Sequence, residues 1–234
     1  MNDLGFDILR ETETYLVVNK HPGILTQAPL GIDSLEVQIK AFLKERDHLS
    51  GDVYLGLAHR LDRPASGAML LGKTLKATHK LARQFEARYV KKVYWTCVEG
   101  QVTPDAGTWR DFVRKVPGEP HAEVVAPDHP EARIAVLHYQ VLSCGPWGSW
   151  LQIELETGRT HQIRLQTATR GHPVLGDAQY GSTIPFGPQY EDKRLRAIAL
   201  HARSLAFREP GTHADVTVVA PISADWRSLG LPLD

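Results

Sequence analysis

The chain has 234 residues and a mass of 26.1 kDa, with 42% apolar and 23% charged residues, the proportions of a soluble globular protein. Its 27 basic residues are balanced by 27 acidic ones, which excludes a uniformly basic nucleic-acid-binding domain but leaves room for a local cationic patch. No apolar run is long enough to span a bilayer, and the opening Met1-Asn2-Asp3-Leu4-Gly5 lacks the basic and apolar regions of a secretory signal.

In chain order, Tyr15 to Lys20 reads as a short strand closed by Pro22-Gly23. Ser34 caps a helix reaching about Lys44, with Leu35, Ile39, Phe42 and Leu43 on its apolar face. Ala68 to Leu71, bounded by Gly67 and Gly72, reads as a buried strand. Thr74 caps a second helix whose apolar face is Leu75, Leu81, Phe85 and Tyr89. Val93 to Val98 is the next strand. Thr103 to Pro130, rich in proline and glycine, reads as hairpins and loops with short pieces such as Glu123-Val124-Val125. Val136 to Ser143 and Leu151 to Glu156 are strands, the second alternating so that one face is wet. Thr160 caps a helix running to Gly171, a natural residue just past a helix end. Ser182 to Arg194 is a polar loop, and Ala199–Phe207 and Asp215–Pro221 close the chain as a pair of strands. Strands outnumber helices and neighbour one another, which indicates an α+β fold: a largely antiparallel mixed β-sheet flanked by helices, in a single domain over 1–234.

Four stretches carry chemistry. In His59-Arg60-Leu61-Asp62-Arg63-Pro64-Ala65-Ser66-Gly67 one carboxylate stands between two guanidinium groups before a forced turn. Flanking positive charge keeps Asp62 ionised and able to attack an electrophile; a structural salt bridge at a strand end fits the same residues. In Glu156 to Arg164 a strand meets a helix through Gly158, and donors gather at the junction. Arg164, one turn in, is placed to reach a carboxylate, while solvated helix charges are the plain alternative for Arg159 and Arg164. Lys91-Lys92-Val93-Tyr94-Trp95 joins cations to aromatics, a build for phosphate contact and base stacking, or for a core in which both aromatics are buried. The fourth, Gly171 to Gly181, is a fixed loop whose Asp177 is a rival nucleophile with fewer basic neighbours. Cys97 and Cys144 form no disulfide framework or zinc motif and fit a reducing, cytoplasmic compartment. No histidine pair has zinc-ligand spacing, and no phosphate-binding glycine loop occurs, so neither metal nor nucleotide cofactor is expected.

Taken in order, these blocks resemble the RluA family of pseudouridine synthases, in its short members without an S4 domain. The His59–Gly67 stretch resembles that family's His-Arg-Leu-Asp signature, Lys92-Val93-Tyr94 its Lys-x-Tyr element, and Gly158 to Arg164 its Gly-Arg-Thr-His-Gln-Ile-Arg block. Gly171-His172-Pro173, Gly176-Asp177 and Tyr180-Gly181 resemble the loop that follows. The chain departs from the family at Ala65, where a threonine is common.

The resemblance implies an isomerase that flips a uridine out of rRNA or tRNA and rejoins the base through C5, without cofactor or metal. It implies that Asp62, Tyr94 and Arg164 are catalytic: the aspartate that starts glycosidic cleavage at base or sugar, the residue that packs on the base, and the cation that pairs with the aspartate. Arg60 matches the arginine that occupies the vacated place. His59, Arg63, Arg159, Thr160, His161 and Gln162 fall in the same blocks and are expected to bind substrate. The expected partner is structured RNA and the expected oligomeric state a monomer. The competing readings are a non-catalytic RNA-binding protein on the same scaffold and an acid-dependent hydrolase using Asp62 with a second carboxylate.

Overall fold

A computed structural model describes residues 4–232; the opening residues 1–3, read above for a signal, lie outside it. The elements are β1 (Phe6–Glu11), β2 (Tyr15–Lys20), α1 (Leu35–Arg46), β3 (Gly56–Leu57), β4 (Ser66–Gly72), α2 (Leu75–Glu86), β5 (Lys91–Glu99), β6 (Ala106–Lys115), β7 (Ala122–Val124), β8 (Arg133–Gly145), β9 (Gly148–Leu155), α3 (Gln162–Ala168), β10 (Leu200–Arg208), β11 (Asp215–Val219) and α4 (Ala224–Arg227). The chain divides into two compact units. The first holds residues 1–92, 192–195 and 202–221, and the second residues 93–191, 196–201 and 222–234. The pairs β1–β2, β2–β4, β5–β9, β6–β8 and β8–β9 are antiparallel, and with the helices the chain has the expected α+β class.

In the first unit β2 pairs with both β1 and β4, and β10 with β11. The β2–β4 register runs from Tyr15 opposite Gly72 to Lys20 opposite Gly67. Tyr15, Val17, Ala68, Leu70, Leu81, Leu205, Phe207 and Val216 form one buried cluster, against which Phe85 of α2 packs. Leu16, Val18, Met69 and Leu71 are fully buried on the alternate positions, so β2 and β4 are covered on both faces. Both helix caps are as the sequence reads: Ser34 accepts from Val37 N and Thr74 from Ala77 N. At Gly67, φ is +116°, and a Cβ there would overlap the backbone of Ala202, so only glycine lets β4 begin directly after the signature loop.

In the second unit the antiparallel order is β5-β9-β8-β6-β7. Val113, Ala122, Ala135 and Leu165 form a small buried cluster with Tyr180 packed on it. Residues Gln162 to Thr167 of α3 are all buried.

Several details differ from the sequence reading, among them that Leu75 and Tyr89, read as part of the apolar face of α2, are exposed, Tyr89 lying past the end of the helix. β1 was not expected, and β6 is a ten-residue strand where only short pieces were expected. β6 does not alternate cleanly, because Asp111 and Phe112 are both half-buried. Thr160 does not cap α3; His161 takes the cap position in the left-handed region (φ 51°) without a side-chain cap bond. Past Ala168 the chain still closes as expected, with His172 N donating to Thr167 O and Gly171 N to Ala168 O, Gly171 having φ +80°.

Candidate active site

The signature loop of the first unit is held from several sides. Ala65 N donates to Asp62 O at 3.1 Å, closing the turn through Arg63 and Pro64. Leu61, before the acid, is fixed at both backbone ends by Thr26, whose hydroxyl donates to Leu61 O at 2.8 Å and accepts from Leu61 N at 3.2 Å. Arg63, after the acid, accepts at its carbonyl from Gly23 N and donates from Nε to Gly23 O, both at 2.8 Å. Asp62 itself is half-buried and Arg60 exposed.

Lys20 supports this turn. It is fully buried, and its Nζ donates to His21 O at 2.9 Å, Arg63 O at 3.2 Å and Ala65 O at 2.7 Å. All three ammonium protons are used. Burial pulls its pKa down to about 7, against the attraction of Asp62, with Arg63 adding to the lowering.

His59 has a structural place. Its Nε2 accepts from Leu70 N at 2.9 Å, so in the neutral ring the proton sits on Nδ1. The ring stacks on Phe85 at 4.5 Å between centroids. Burial and then the charge of Lys92 lower its pKa to about 3.

In the second unit the block after β9 is built around Gln162, whose residue is 3% exposed. Its Oε1 accepts from Thr157 Oγ1 at 2.8 Å and Arg159 N at 3.0 Å, and its Nε2 donates to Val136 O at 3.0 Å. Arg159 Nε donates to Ile134 O at 2.9 Å. His161 Nδ1 lies 3.0 Å from the Tyr180 hydroxyl. Thr160 is half-buried at the junction. Gln162 therefore shapes the loop from within, while Arg159, Thr160 and His161 keep partly accessible surface.

Arg164 is 3% exposed. Its Nε donates to Asp177 Oδ2 at 2.6 Å, and its Nη2 to Asp177 Oδ1 and Gln179 Oε1, each at 2.8 Å. Its guanidinium lies over the Tyr180 ring, 4.9 Å from the centroid. The carboxylate that Arg164 grips here is that of Asp177. The alternative of Asp177 as nucleophile does not fit, because both its oxygens are engaged and it is 2% exposed.

Tyr94 is buried on β5 opposite Ile153. Trp95, on the alternate face, sits edge-on to Trp150. The first unit thus gathers His59, Arg60, Asp62 and Arg63, and the second gathers Arg159, Thr160, His161, Gln162 and Arg164 with Tyr94 on a neighbouring strand. Lys20, Thr26 and the partnership of Asp177 with Arg164 are additions from the structure. Among the described residues, no group of three or more histidine, cysteine or acidic side chains could hold a metal ion, and no helix is long and apolar enough to cross a membrane.

A family model described as RNA pseudouridylate synthase matches residues 14–169. An uncharacterized RNA pseudouridine synthase of Synechocystis is 33% identical over 230 residues, covering 97% of this chain and 68% of the relative. Ribosomal large subunit pseudouridine synthase D of Pseudomonas aeruginosa is 31% identical over 234 residues, covering 96% and 70%. The human RNA pseudouridylate synthase domain containing 4 matches in structure with a TM-score of 0.73 at 24% identity, over 93% of this chain and 88% of that one, a likeness of fold. With the family's matched span running through the Asp62 turn and the Arg164 block, the chain belongs to the RNA pseudouridylate synthase family and is an isomerase that acts on RNA.

Proposed function

We propose that this enzyme converts uridine to pseudouridine in structured ribosomal RNA, with Asp62 as nucleophile. Several relatives are named for the ribosomal large subunit, which favours rRNA over tRNA. The target nucleotide leaves its stack at a cost of a few kcal/mol, least in a loop or bulge, and Arg60, exposed at the mouth of the turn, takes the vacated place. The N1–C1′ bond breaks with Asp62 as nucleophile, the base rotates, and C5 bonds to C1′. C5 loses its proton, N1 gains one, and Asp62 is released unchanged. Tyr94 packs on the base and accepts the C5 proton. Arg164 pairs with the aspartate, and Arg63, Arg159, Thr160 and His161 contact the RNA, with His59 and Gln162 shaping the loops that carry them. Atoms and electrons balance without an added reagent, so the reaction consumes no cofactor.

One observation carries this reading: the Asp62 turn is fixed at Leu61, Arg63 and Ala65 by Thr26, Gly23 and the buried Lys20. Such preorganisation supports the reading, because a catalytic group must be held within about 0.5 Å of its productive geometry. The family match spans residues from both compact units, which supports 1–234 as one catalytic domain. The enzyme works as a cytoplasmic monomer. The test is to map pseudouridine in total RNA from cells with and without this protein. One or more rRNA positions are expected to lose the modification and regain it on complementation; an unchanged map overturns the reading.

A further inference from the structure

The turn that ends α2 leads into a cationic surface which the chemistry above leaves unused. Ala87 closes the helix, Arg88 N donates to Phe85 O at 3.1 Å and Tyr89 N to Gln84 O at 2.9 Å. This end motif asks for a left-handed residue, and glycine fills the place at least cost. Here the residue is Arg88, at φ 59°. The turn lifts Tyr89 out to 73% exposure, and the chain passes at once to Lys91 and Lys92 at the start of β5. Arg83 stands exposed on the last turn of the helix.

One ring contact and one charge effect tie this surface to the signature loop. Phe85, from the same helix end, stacks on His59, the neighbour of Arg60. The charge of Lys92 adds to the lowering of the His59 pKa, and that of Arg88 to the lowering at Lys92, in each case after burial. Among the described residues, the side chains of Arg60, Arg83, Lys91 and Lys92 have no hydrogen bond or ion pair. Arg46, Arg114 and Arg194 each find a carboxylate. Between Arg83 and Lys92 the one acid is the exposed Glu86, so a chain with equal numbers of acids and bases keeps a local excess of positive charge at this helix end. A solvent-facing aromatic among cations suits an unpaired RNA strand, whose phosphates meet the cations while a base stacks on the ring.

We propose that Arg83, Tyr89, Lys91 and Lys92 form a docking surface for the single-stranded RNA that flanks the target uridine, Tyr89 stacking on one of its bases. This rests on the reading given under Proposed function and extends it from the reacting nucleotide to its neighbours.

The experiment compares wild type, Tyr89→Ala, and the double variant Arg83→Gln/Lys91→Gln. Pseudouridine formation is followed on RNA from cells lacking the protein, and binding of a labelled oligouridylate is followed as KCl is varied. Tyr89→Ala is expected to raise KM about tenfold. The double variant is expected to raise KM and to flatten the slope of log affinity against log salt by about 1.4, at about 0.7 per phosphate contact. The charge-keeping Arg83→Lys/Lys91→Arg is expected to restore both, and Lys44→Gln on α1 to change neither. An unchanged KM and slope, a loss confined to kcat, a failure of the charge-keeping variant to restore binding, or no wild-type binding of the oligouridylate would each overturn the docking surface. A wild type that makes no pseudouridine in this RNA would instead overturn the parent reading.

Discussion

Asp177 grips Arg164 through both carboxylate oxygens, at 2.6 Å to Nε and 2.8 Å to Nη2, and the two side chains are 1% and 3% exposed. Asp177 is thus a positioning group. It compensates a guanidinium taken out of water and fixes its plane over the Tyr180 ring. Tyr180 is anchored in turn, its hydroxyl accepting from Ala122 N at 2.9 Å.

Removing Asp177 takes a bidentate carboxylate from a buried guanidinium, and breaking a buried pair in this way costs about 3–5 kcal/mol. Asp177→Ala is expected to lower the urea midpoint of unfolding accordingly. Asp177→Glu, which keeps the charge, is expected to lose less. Equal midpoints for Asp177→Ala and wild type would contradict the assignment.

Lys20→Met keeps the length of the side chain but strips three carbonyls of their donor. Each buried unsatisfied group costs about 1–3 kcal/mol. The variant is expected to be less stable, to exchange amide hydrogens faster across Asp62–Ala65, and to lose kcat more than RNA affinity. Unaltered exchange in that turn would show that Lys20 does not support it.

His59 makes stability depend on acid. Its folded pKa of about 3 lies below the unfolded value near 6.5, so its neutral form is favoured by folding. That contribution is complete above pH 6.5. It is lost as pH falls toward 3, by up to about 1.4 kcal/mol per unit, because only the unfolded chain takes up the proton. His59→Gln is expected to be less stable at pH 7.5, where Leu70 N–H loses its acceptor geometry, and to show a flatter dependence between pH 6 and 4. A slope equal to wild type would mean another group carries the acid sensitivity.

Gly67→Ala meets two obstacles at once, a φ of +116° and the backbone of Ala202. The loop cannot yield without moving Asp62, so loss of soluble protein or of more than about 3 kcal/mol of stability is expected. A stable, fully active variant would show that the turn has room to shift.

Much of this architecture is legible in the residues, and the misses have physical causes. Capping serine and threonine before apolar periodicity mark α1 and α2, since a local hydrogen bond decides each start. The start of α3 misleads: Thr160 has a capping side chain, yet Gln162 and Thr157 already bind the backbone around the junction, and His161 closes it in the left-handed region. Lys20 reads as an ordinary charged strand end, because its three acceptors are backbone carbonyls and two of them lie more than forty positions away. Asp177 shows few basic neighbours because its guanidinium comes from the buried helix α3, thirteen residues earlier. His59 belongs to the signature by sequence, while its role as acceptor for Leu70 N–H depends on β4 lying beneath it.

The central claim is that the Asp62 carboxylate is the nucleophile. Its most direct measurement is single-turnover pseudouridine formation by Asp62→Asn, set beside the binding of the same RNA. Formation is expected to become undetectable with affinity within a few-fold of wild type; an Asp62→Asn enzyme that makes pseudouridine at the wild-type rate would contradict the account.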